Sequence, residues 1–462
     1  MEDLIKRARQ CASEIKKYDD ILIVSHIDAD GLTSAAIAHI SLERAGISSK
    51  VCFVKQLDKT YLNKIEEESY DLVLFTDLGS GMQDEILGRD LNAVIVDHHV
   101  PRGDNIRFHL NPHLVGFDGS DQLSGSSTTY LLSTQLGMNY DLVNLAVVGA
   151  VGDLQDSKKG RLVGLNREIM LEGVRNGFID NQIDLRMFGK QTRPVYRMLQ
   201  YSSDPIIPGI TGREEGCIEF LRNLGIPLKE GEKWRRWIDL DFSEKRKIVS
   251  ELVKLAIESG INASLINRLV GEVYILLSEP EGTELRDAME FSTLLNATAR
   301  YGYEEVGLKI CIGDRDRSLS TARRLLAEHR KNLADGLNLV KENGIEEMEN
   351  LQYFHAGKKI RETIVGIVAG MSIPLTNTEK PIIAFAKKDE GIKVSARATQ
   401  NLVRKGINLA EAINRAAKEV GGVGGGHNIA AGATIPDGKE EEFLQRLNRI
   451  LEKQLKSKGA RL

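Results

Sequence analysis

Apolar residues run in short unbroken blocks through the first third of the chain, and each block leads to an acid or an imidazole. Ile21-Leu22-Ile23-Val24 leads into His26, Asp28, Asp30 and Gly31. Leu72-Val73-Leu74-Phe75 leads into Asp77, and Ala93-Val94-Ile95-Val96 into Asp97, His98 and His99. Leu145-Ala146-Val147-Val148 leads through Gly149-Ala150-Val151-Gly152 to Asp153. Near-continuous apolar runs of this length mark parallel strands buried on both faces. The four blocks, with a further strand near 50–55, therefore predict one parallel sheet. Helical spacing lies between them, as in Leu32, Ala35, Ala36, His39 and Ile40, and again after a capping Ser124. Alternation of strand and helix gives an α/β class. Ligands of open α/β sheets bind beyond the carboxyl ends of the strands, which is where these acids and imidazoles fall.

The pattern changes near residue 190. Four of the ten prolines lie between Pro194 and Pro227, which marks a domain boundary. From 228 to 345 the spacing is mainly helical. It is interrupted by a strand at 272–277 and closes with one long helix from Ser318 to about Val340. Beyond 351 come strands near 382–385 and 392–396, a helix around 409–420 and the glycine-rich GGVGGGHNIAAGATI. The expected plan is a parallel-sheet domain at 1–190, a mainly helical inserted middle domain at 191–310, a helical linker at 311–350 and a smaller α/β domain at 351–462. The basic tail Lys453–Leu462 is expected to fray.

Composition narrows the class. At 462 residues the chain exceeds one ordinary core, so several domains are expected. A net charge of -4 argues against indiscriminate coating of nucleic acid, while leaving room for a local basic groove. Cys11, Cys52, Cys217 and Cys311 are scattered, with no CxxC pair. This disfavours thiolate zinc sites and disulfide frameworks and fits a reducing cytoplasm. The N-terminus lacks a signal-type apolar core, and no apolar stretch reaches about 18 residues, so no membrane span is expected.

The residue types at the block ends point to hard cations. Mn²⁺ and Mg²⁺ favour carboxylate oxygen, and Mn²⁺ also takes imidazole. Two such ions about 3.5–4 Å apart can clamp a phosphate and activate water. His26, Asp28, Asp30, Asp77, His98 and Asp153 make a sufficient set; singly, Asp77 reads as a helix cap ahead of a ligand, and Asp153 has the same ambiguity. Gly31 lets the chain turn so that a helix N-terminus starts beside the anion. The late glycines fit neither a Rossmann fingerprint nor a Walker loop. They could be a flexible loop, or a bared backbone that approaches phosphate or sugar, with His427 and Asn428 adding donors. Ser395 and Arg397 share one face of a strand, where a guanidinium could hold phosphate bidentately. In EKWRRW, on a predicted helix, Trp234 and Trp237 are read as core or partner-facing ahead of base-stacking. Arg315, Arg317, Arg323, Arg324, Arg330 and Lys331 are read as a solvated helix face ahead of a nucleic-acid channel.

SHIDADG, FTDLGSG, VDHH and GAVGD, in that order, resemble the four motifs of the DHH phosphoesterase superfamily. GGGHNIAAG with the preceding SAR resembles its DHHA1 partner domain. The resemblance implies a two-domain clamp with two Mn²⁺ or Mg²⁺ ions in the cleft between the first and last domains. One ion would use His26, Asp28 and Asp77; the other Asp30, Asp77, His98 and Asp153. His99 would contact the scissile phosphate and Asp97 would orient the histidines. Ser395, Arg397, Gly425, Gly426, His427 and Asn428 would hold the substrate's terminal phosphate or sugar. Length and the inserted middle resemble the archaeal RecJ-like, GINS-associated nucleases. That implies 5′ to 3′ digestion of single-stranded DNA and docking of the GINS complex, and through it the replicative helicase, on the middle domain. Bacterial RecJ commonly carries an aspartate where His26 stands, and an added OB-type domain with no counterpart in this chain. RNA, short oligoribonucleotides, cyclic dinucleotides and a mainly structural replication role remain as alternatives.

Overall fold

A computed structural model describes residues 1–459 except 69, 90, 104–106, 203–204 and 374–375, so the last three residues of the basic tail lie outside the described residues. The chain divides into two compact units, Met1–Leu325 and Leu326–Leu462, and the division falls inside the long helix Arg317–Asn343.

In the first unit, β1 (Asp20–His26), β2 (Ser48–Val54), β3 (Leu72–Thr76), β4 (Ala93–Val96) and β5 (His109–Leu110) form one sheet in the order β2-β1-β3-β4-β5. All neighbours are parallel. The chain leaves β1 for β2 on one side and returns to β3 on the other. This order has its topological switch between β1 and β3, where open sheets bind ligands. Ser25 pairs with Thr76, so His26 and Asp77 emerge side by side. The helix Ala29–Arg44 starts directly after β1. Its approach needs Gly31, because a Cβ there would lie 2.1 Å from the His26 carbonyl oxygen.

The fourth apolar block is not a strand. Val143–Gly152 is a helix, buried on nearly every side, packed against Ala29–Arg44, Gly125–Leu136 and Ala288–Arg300. A short apolar run cannot distinguish a buried strand from a helix apolar all round. The glycines inside the block carried the missing signal. A Cβ on Gly149 would meet Ser126 Oγ at 2.2 Å, Thr33 Oγ1 at 2.4 Å and Asp30 Oδ1 at 2.5 Å, and one on Gly152 would meet Ala29 Cβ at 2.7 Å. The helix can approach its neighbours only because those two side chains are missing.

Later in this unit β6 (Ile179–Leu185) is followed by a small hairpin, β7 (Lys229–Glu230) with β8 (Lys233–Trp234), and by β9 (Val270–Leu276), which pairs antiparallel with β6. Helices Val195–Gln200, Glu214–Asn223 and Phe242–Glu258 bury a separate apolar cluster around Leu221, Trp237 and Leu252. EKWRRW is therefore not helical: Trp234 ends the hairpin and Trp237 opens a 3₁₀ turn. Trp237 is 1% exposed and its indole N–H donates to Asp184 at 2.9 Å, a core role, whereas Trp234 is 39% exposed. Of the arginine series, Arg315 and Arg323 are ion-paired with Glu279 and Glu284.

The second unit is a mixed sheet of β10 (Glu346–Glu347), β11 (Gln352–Gly357), β12 (Ile382–Lys387), β13 (Ile392–Arg397), β14 (Val423–Gly426) and β15 (Ala430–Ile435), in the order β10-β11-β12-β13-β15-β14. Only β11 and β12 run parallel. Helices Leu409–Glu419 and Glu440–Gly459 cover one face, packing on Ile383, Phe385, Val394 and Ala433. The helix Val365–Ser372 packs on the other, against Ile382 and Ala384. Among the described residues no helix is long and apolar enough to cross a membrane.

Candidate metal centre

The carboxyl ends of β1, β3 and β4 and the end of the helix Val143–Gly152 bring the predicted acids and imidazoles of the first unit together. His26 is the last residue of β1, and Asp28 caps the following helix, accepting from Gly31 N–H at 3.0 Å. Asp77 turns out of β3 with φ 57°, a left-handed conformation uncommon outside glycine. Asp153 follows the last turn of its helix. Three overlapping groups result: His26, Asp28 and Asp77; Asp30, His98 and Asp153; and Asp77, Asp97, His98 and His99. Within each group the candidate ligand atoms lie within 4.8 Å of one another.

Most of these side chains are fixed from behind. Asp30 is 1% exposed and its carboxylate accepts from Gly125 N–H at 2.7 Å and Ser126 N–H at 2.9 Å, the first turn of the helix Gly125–Leu136. His98 Nδ1 lies 2.7 Å from the Gly119 carbonyl. With Nδ1 held there, the ring turns Nε2 toward Asp77 Oδ1 (3.2 Å), Asp30 Oδ2 (3.8 Å) and Asp153 Oδ2 (3.8 Å). Asp97, fully buried, accepts from Ser80 N–H at 2.9 Å, from His98 N–H at 2.7 Å and from His99 Nδ1 at 2.8 Å. Asp77 Oδ1 is buried and has no well-aligned hydrogen bond, although His98 Nε2 lies 3.2 Å away. A buried carboxylate oxygen left in that state is costly, and it suits a cation ligand.

The electrostatics show the same deficit of positive charge. Burial pushes the Asp77 carboxyl well above the usual range, and the neighbouring Asp30 adds to this against the pull of His98. Burial, opposed by His98 and reinforced by Asp30, raises Asp153 to about 6. Burial alone would lower His26, but the hydrogen bond and charge of Asp28, with Asp77 beyond, push it up to about 9. Burial likewise opposes protonation of His98, yet Asp77, Asp153 and Asp30 raise it well above the ordinary value. Asp77 and Asp153 are thus shifted toward their protonated forms, as are His26 and His98, because negative charge is crowded into the pocket. The donor set, hard oxygens with imidazole nitrogen, fits Mn²⁺ or Mg²⁺.

Two family models match the chain, one for the DHH-CID domain at residues 187–270 and one for the DHHA1 domain at 350–453. The chain is 32% identical, over 470 residues, to the uncharacterized protein MJ0831 of Methanocaldococcus jannaschii, covering 99% of this chain and 100% of that one. The chain belongs to the DHH superfamily. Its fold is similar to that of CDC45 from Entamoeba histolytica (TM-score 0.68, 13% identity, 98% of each chain covered). It is also similar to RecJ from Thermus thermophilus, crystallised in complex with Mn²⁺ (TM-score 0.60, 18% identity, 97% of this chain). The chain spans 55% of that RecJ's length.

In the DHHA1 domain the glycine-rich segment is a hairpin. Gly425 and Gly426 lie on β14, and His427 and Asn428 sit exposed in the turn before β15. Across the sheet Ser395 pairs with Gly432, which pairs with Gly425, so two of these three neighbours lack a side chain. Ser395 and Arg397 share the face on which the helix Val365–Ser372 packs. A Cβ on Gly366 would lie 2.6 Å from Arg397 Nη2 and 3.1 Å from Ser395 Oγ.

Several residues at the DHH site escaped the sequence reading. Gly119 has no room for a Cβ, which would fall 1.8 Å from the His98 carbonyl oxygen. Gln155 is bonded to both Asp153 and Gly119. Asn296 accepts from Ala29 N–H at 3.0 Å. Arg300, on the same helix as Asn296, is lowered in pKa by burial and supported by the charge of Asp28. Among the described residues it has no hydrogen bond or ion pair. Glycines and amides are too common to stand out alone, and a half-buried arginine some 270 residues from its acid leaves no local pattern.

Proposed function

We propose that this DHH chain is a divalent-metal-dependent phosphodiesterase that acts as an exonuclease on single-stranded DNA, 5′ to 3′. The observation that carries the reading is the convergence of Asp30, Asp77 and Asp153 on His98 Nε2, with a buried Asp77 Oδ1 that lacks a well-aligned hydrogen bond. His26, Asp28 and Asp77 would hold one Mn²⁺ or Mg²⁺ ion, and Asp30, Asp77, His98 and Asp153 the other. Bound there, such ions polarise phosphoryl oxygens and lower the pKa of water to make a nucleophile near neutral pH. The chain's own residues do the rest. His99 is 57% exposed at the side chain and held by Asp97 at 2.8 Å. The Asp97 hydrogen bond raises the His99 pKa, against burial, which favours the positively charged ring that would face the scissile phosphate. Asp97 is lowered despite its burial, through His99 and His98 and the Ser80 N–H; it stays ionised and fixes the His99 ring. Arg300, its guanidinium unbonded among the described residues, is suited to a phosphate oxygen. In the DHHA1 domain, Ser395, Arg397, Gly425, Gly426, His427 and Asn428 hold the terminal phosphate or sugar.

Residues 191–310 are the docking surface for GINS and, through it, the replicative helicase. The test is hydrolysis of 5′-labelled long single strands against di- and trinucleotides, in Mn²⁺ and in EDTA. Mn²⁺-dependent release from the 5′ end supports the proposal. EDTA-resistant cleavage overturns the metal chemistry, and exclusive use of short or cyclic substrates, or of RNA, overturns the substrate. A second reading, a replication scaffold, is favoured by the fold shared with CDC45 over 98% of each chain. It requires retention on immobilised GINS with no measurable hydrolysis by the wild-type chain.

A further inference from the structure

We infer that Gln155, backed by Asn166, is the positioning pair that sets Asp30, His98 and Asp153 into one coordinating geometry; this rests on the metal reading above. Gln155 is 2% exposed and Asn166 1%. The Gln155 amide spends one N–H on Asp153 Oδ2 (2.9 Å) and the other on the Gly119 carbonyl (2.8 Å), the same oxygen that lies 2.7 Å from His98 Nδ1. Its nitrogen is 3.4 Å from His98 Nδ1 itself. The Gln155 Oε1 accepts from Asn166 Nδ2 at 2.6 Å, and Asn166 Oδ1 accepts from Ser124 N–H at 3.2 Å. Ser124 is the cap of the helix whose first N–H groups hold Asp30.

The path is therefore continuous. It runs from Asp30, through the N-terminus of Gly125–Leu136, Ser124, Asn166 and Gln155, to Asp153 on one branch and to the His98 anchor on the other. Each hydrogen-bonding role in it is assigned without conflict: two amide donors, one amide acceptor, one carbonyl shared by two donors. The three ligands come from three elements far apart in sequence, and this network joins all three from behind. Partners of ligands in this position typically change metal affinity roughly 10–100-fold when lost.

Gln155→Glu keeps the acceptor for Asn166 but presents an oxygen, in place of N–H donors, to the Asp153 carboxylate and the Gly119 carbonyl. Mn²⁺ binding to the full chain is measured by calorimetry and by electron paramagnetic resonance, with thermal melts in EDTA as the control. The expected result is one of two Mn²⁺ ions weakened by roughly 10–100-fold. The six-line signal of a single ion then appears at Mn²⁺ concentrations where wild type gives a coupled pair, with a melt within about 3 °C of wild type. Asn166→Asp, which keeps the Ser124 bond and loses the donor to Gln155, should weaken the same ion by a smaller factor. Wild-type affinity for both ions in Q155E overturns the inference, as does equal loss of both ions with a collapsed melt. If Q155E does not fold, N166D decides alone, and unchanged Mn²⁺ affinity in it is the overturning result. Absence of Mn²⁺ binding by wild type, by contrast, removes the metal reading on which the pair depends.

Discussion

At the carboxyl ends of β1, β3 and β4 the ionisable side chains are buried or held by hydrogen bonds. On β13, β14 and β15 the polar groups stand beside glycine, and His427 and Asn428 are exposed. The first arrangement accepts a large cost, acids packed out of water against one another, in exchange for fixed geometry. The second gives up side chains and leaves the backbone bare at Gly425 and Gly432. On the function proposed above, the contrast would separate a region that places reacting atoms from one that grips what is brought to them. Loss of a group from the first should act mainly on turnover, and from the second mainly on binding.

The sharpest way to break that contrast is Asp77→Asn. Hydrolysis should fall by at least about 10³-fold in kcat, while stability in EDTA should rise. The sign follows from the raised carboxyl. A group whose folded pKa exceeds its unfolded value stabilises the fold when protonated and loses that contribution as pH rises through the folded pKa. Near neutral pH the ionised form is therefore a liability, and Asn removes it. A melting temperature in EDTA that drops instead would mean that Asp77 holds the fold together. Next in size, Arg397→Ala should raise KM roughly 10–100-fold and leave kcat within about twofold, the loss of one charged hydrogen bond to substrate. An equal fall in kcat and kcat/KM would move Arg397 into the chemistry and erase the distinction.

The smallest effect concerns support behind the first region. His109 is 1% exposed, with Nε2 2.9 Å from Ser80 Oγ and Nδ1 3.0 Å from Gln83 Oε1, and burial lowers its pKa to about 4. The unfolded chain takes the proton near the ordinary value of about 6.5 and the folded chain does not. Stability should thus decline as pH falls from about 6.5 to about 4, by on the order of 3 kcal/mol from this group. Denaturant melts of wild type and His109→Gln across that range should show the shallower slope in the variant. Equal slopes would mean that the ring is charged in the folded chain.

Sequence spacing was enough for β1, β3 and β4, whose apolar blocks are buried on both faces and end at the polar residues that matter. It was enough for the helix capped by Ser124 and for the alternation that puts Ser395 and Arg397 on one face. It failed where the environment, and not the local pattern, decides. Leu145–Val148 looks like a strand but lies in a helix because four other helices enclose it. EKWRRW has helical spacing, yet Trp237 is drawn into a core where Asp184 takes its N–H. Gln155, Asn166 and Arg300 are ordinary polar residues until the fold sets them against residues distant in sequence.

The close approach of the helix Val143–Gly152 has one more consequence. At Gly149 the neighbours of the absent methyl are a hydroxyl, another hydroxyl and the carboxylate of Asp30. One added carbon, with no charge and no polarity, would therefore crowd the Asp30 carboxylate, an oxygen of the proposed cation site. A survey of acids and histidines alone would pass over such a change, because every proposed ligand would still be present in the sequence.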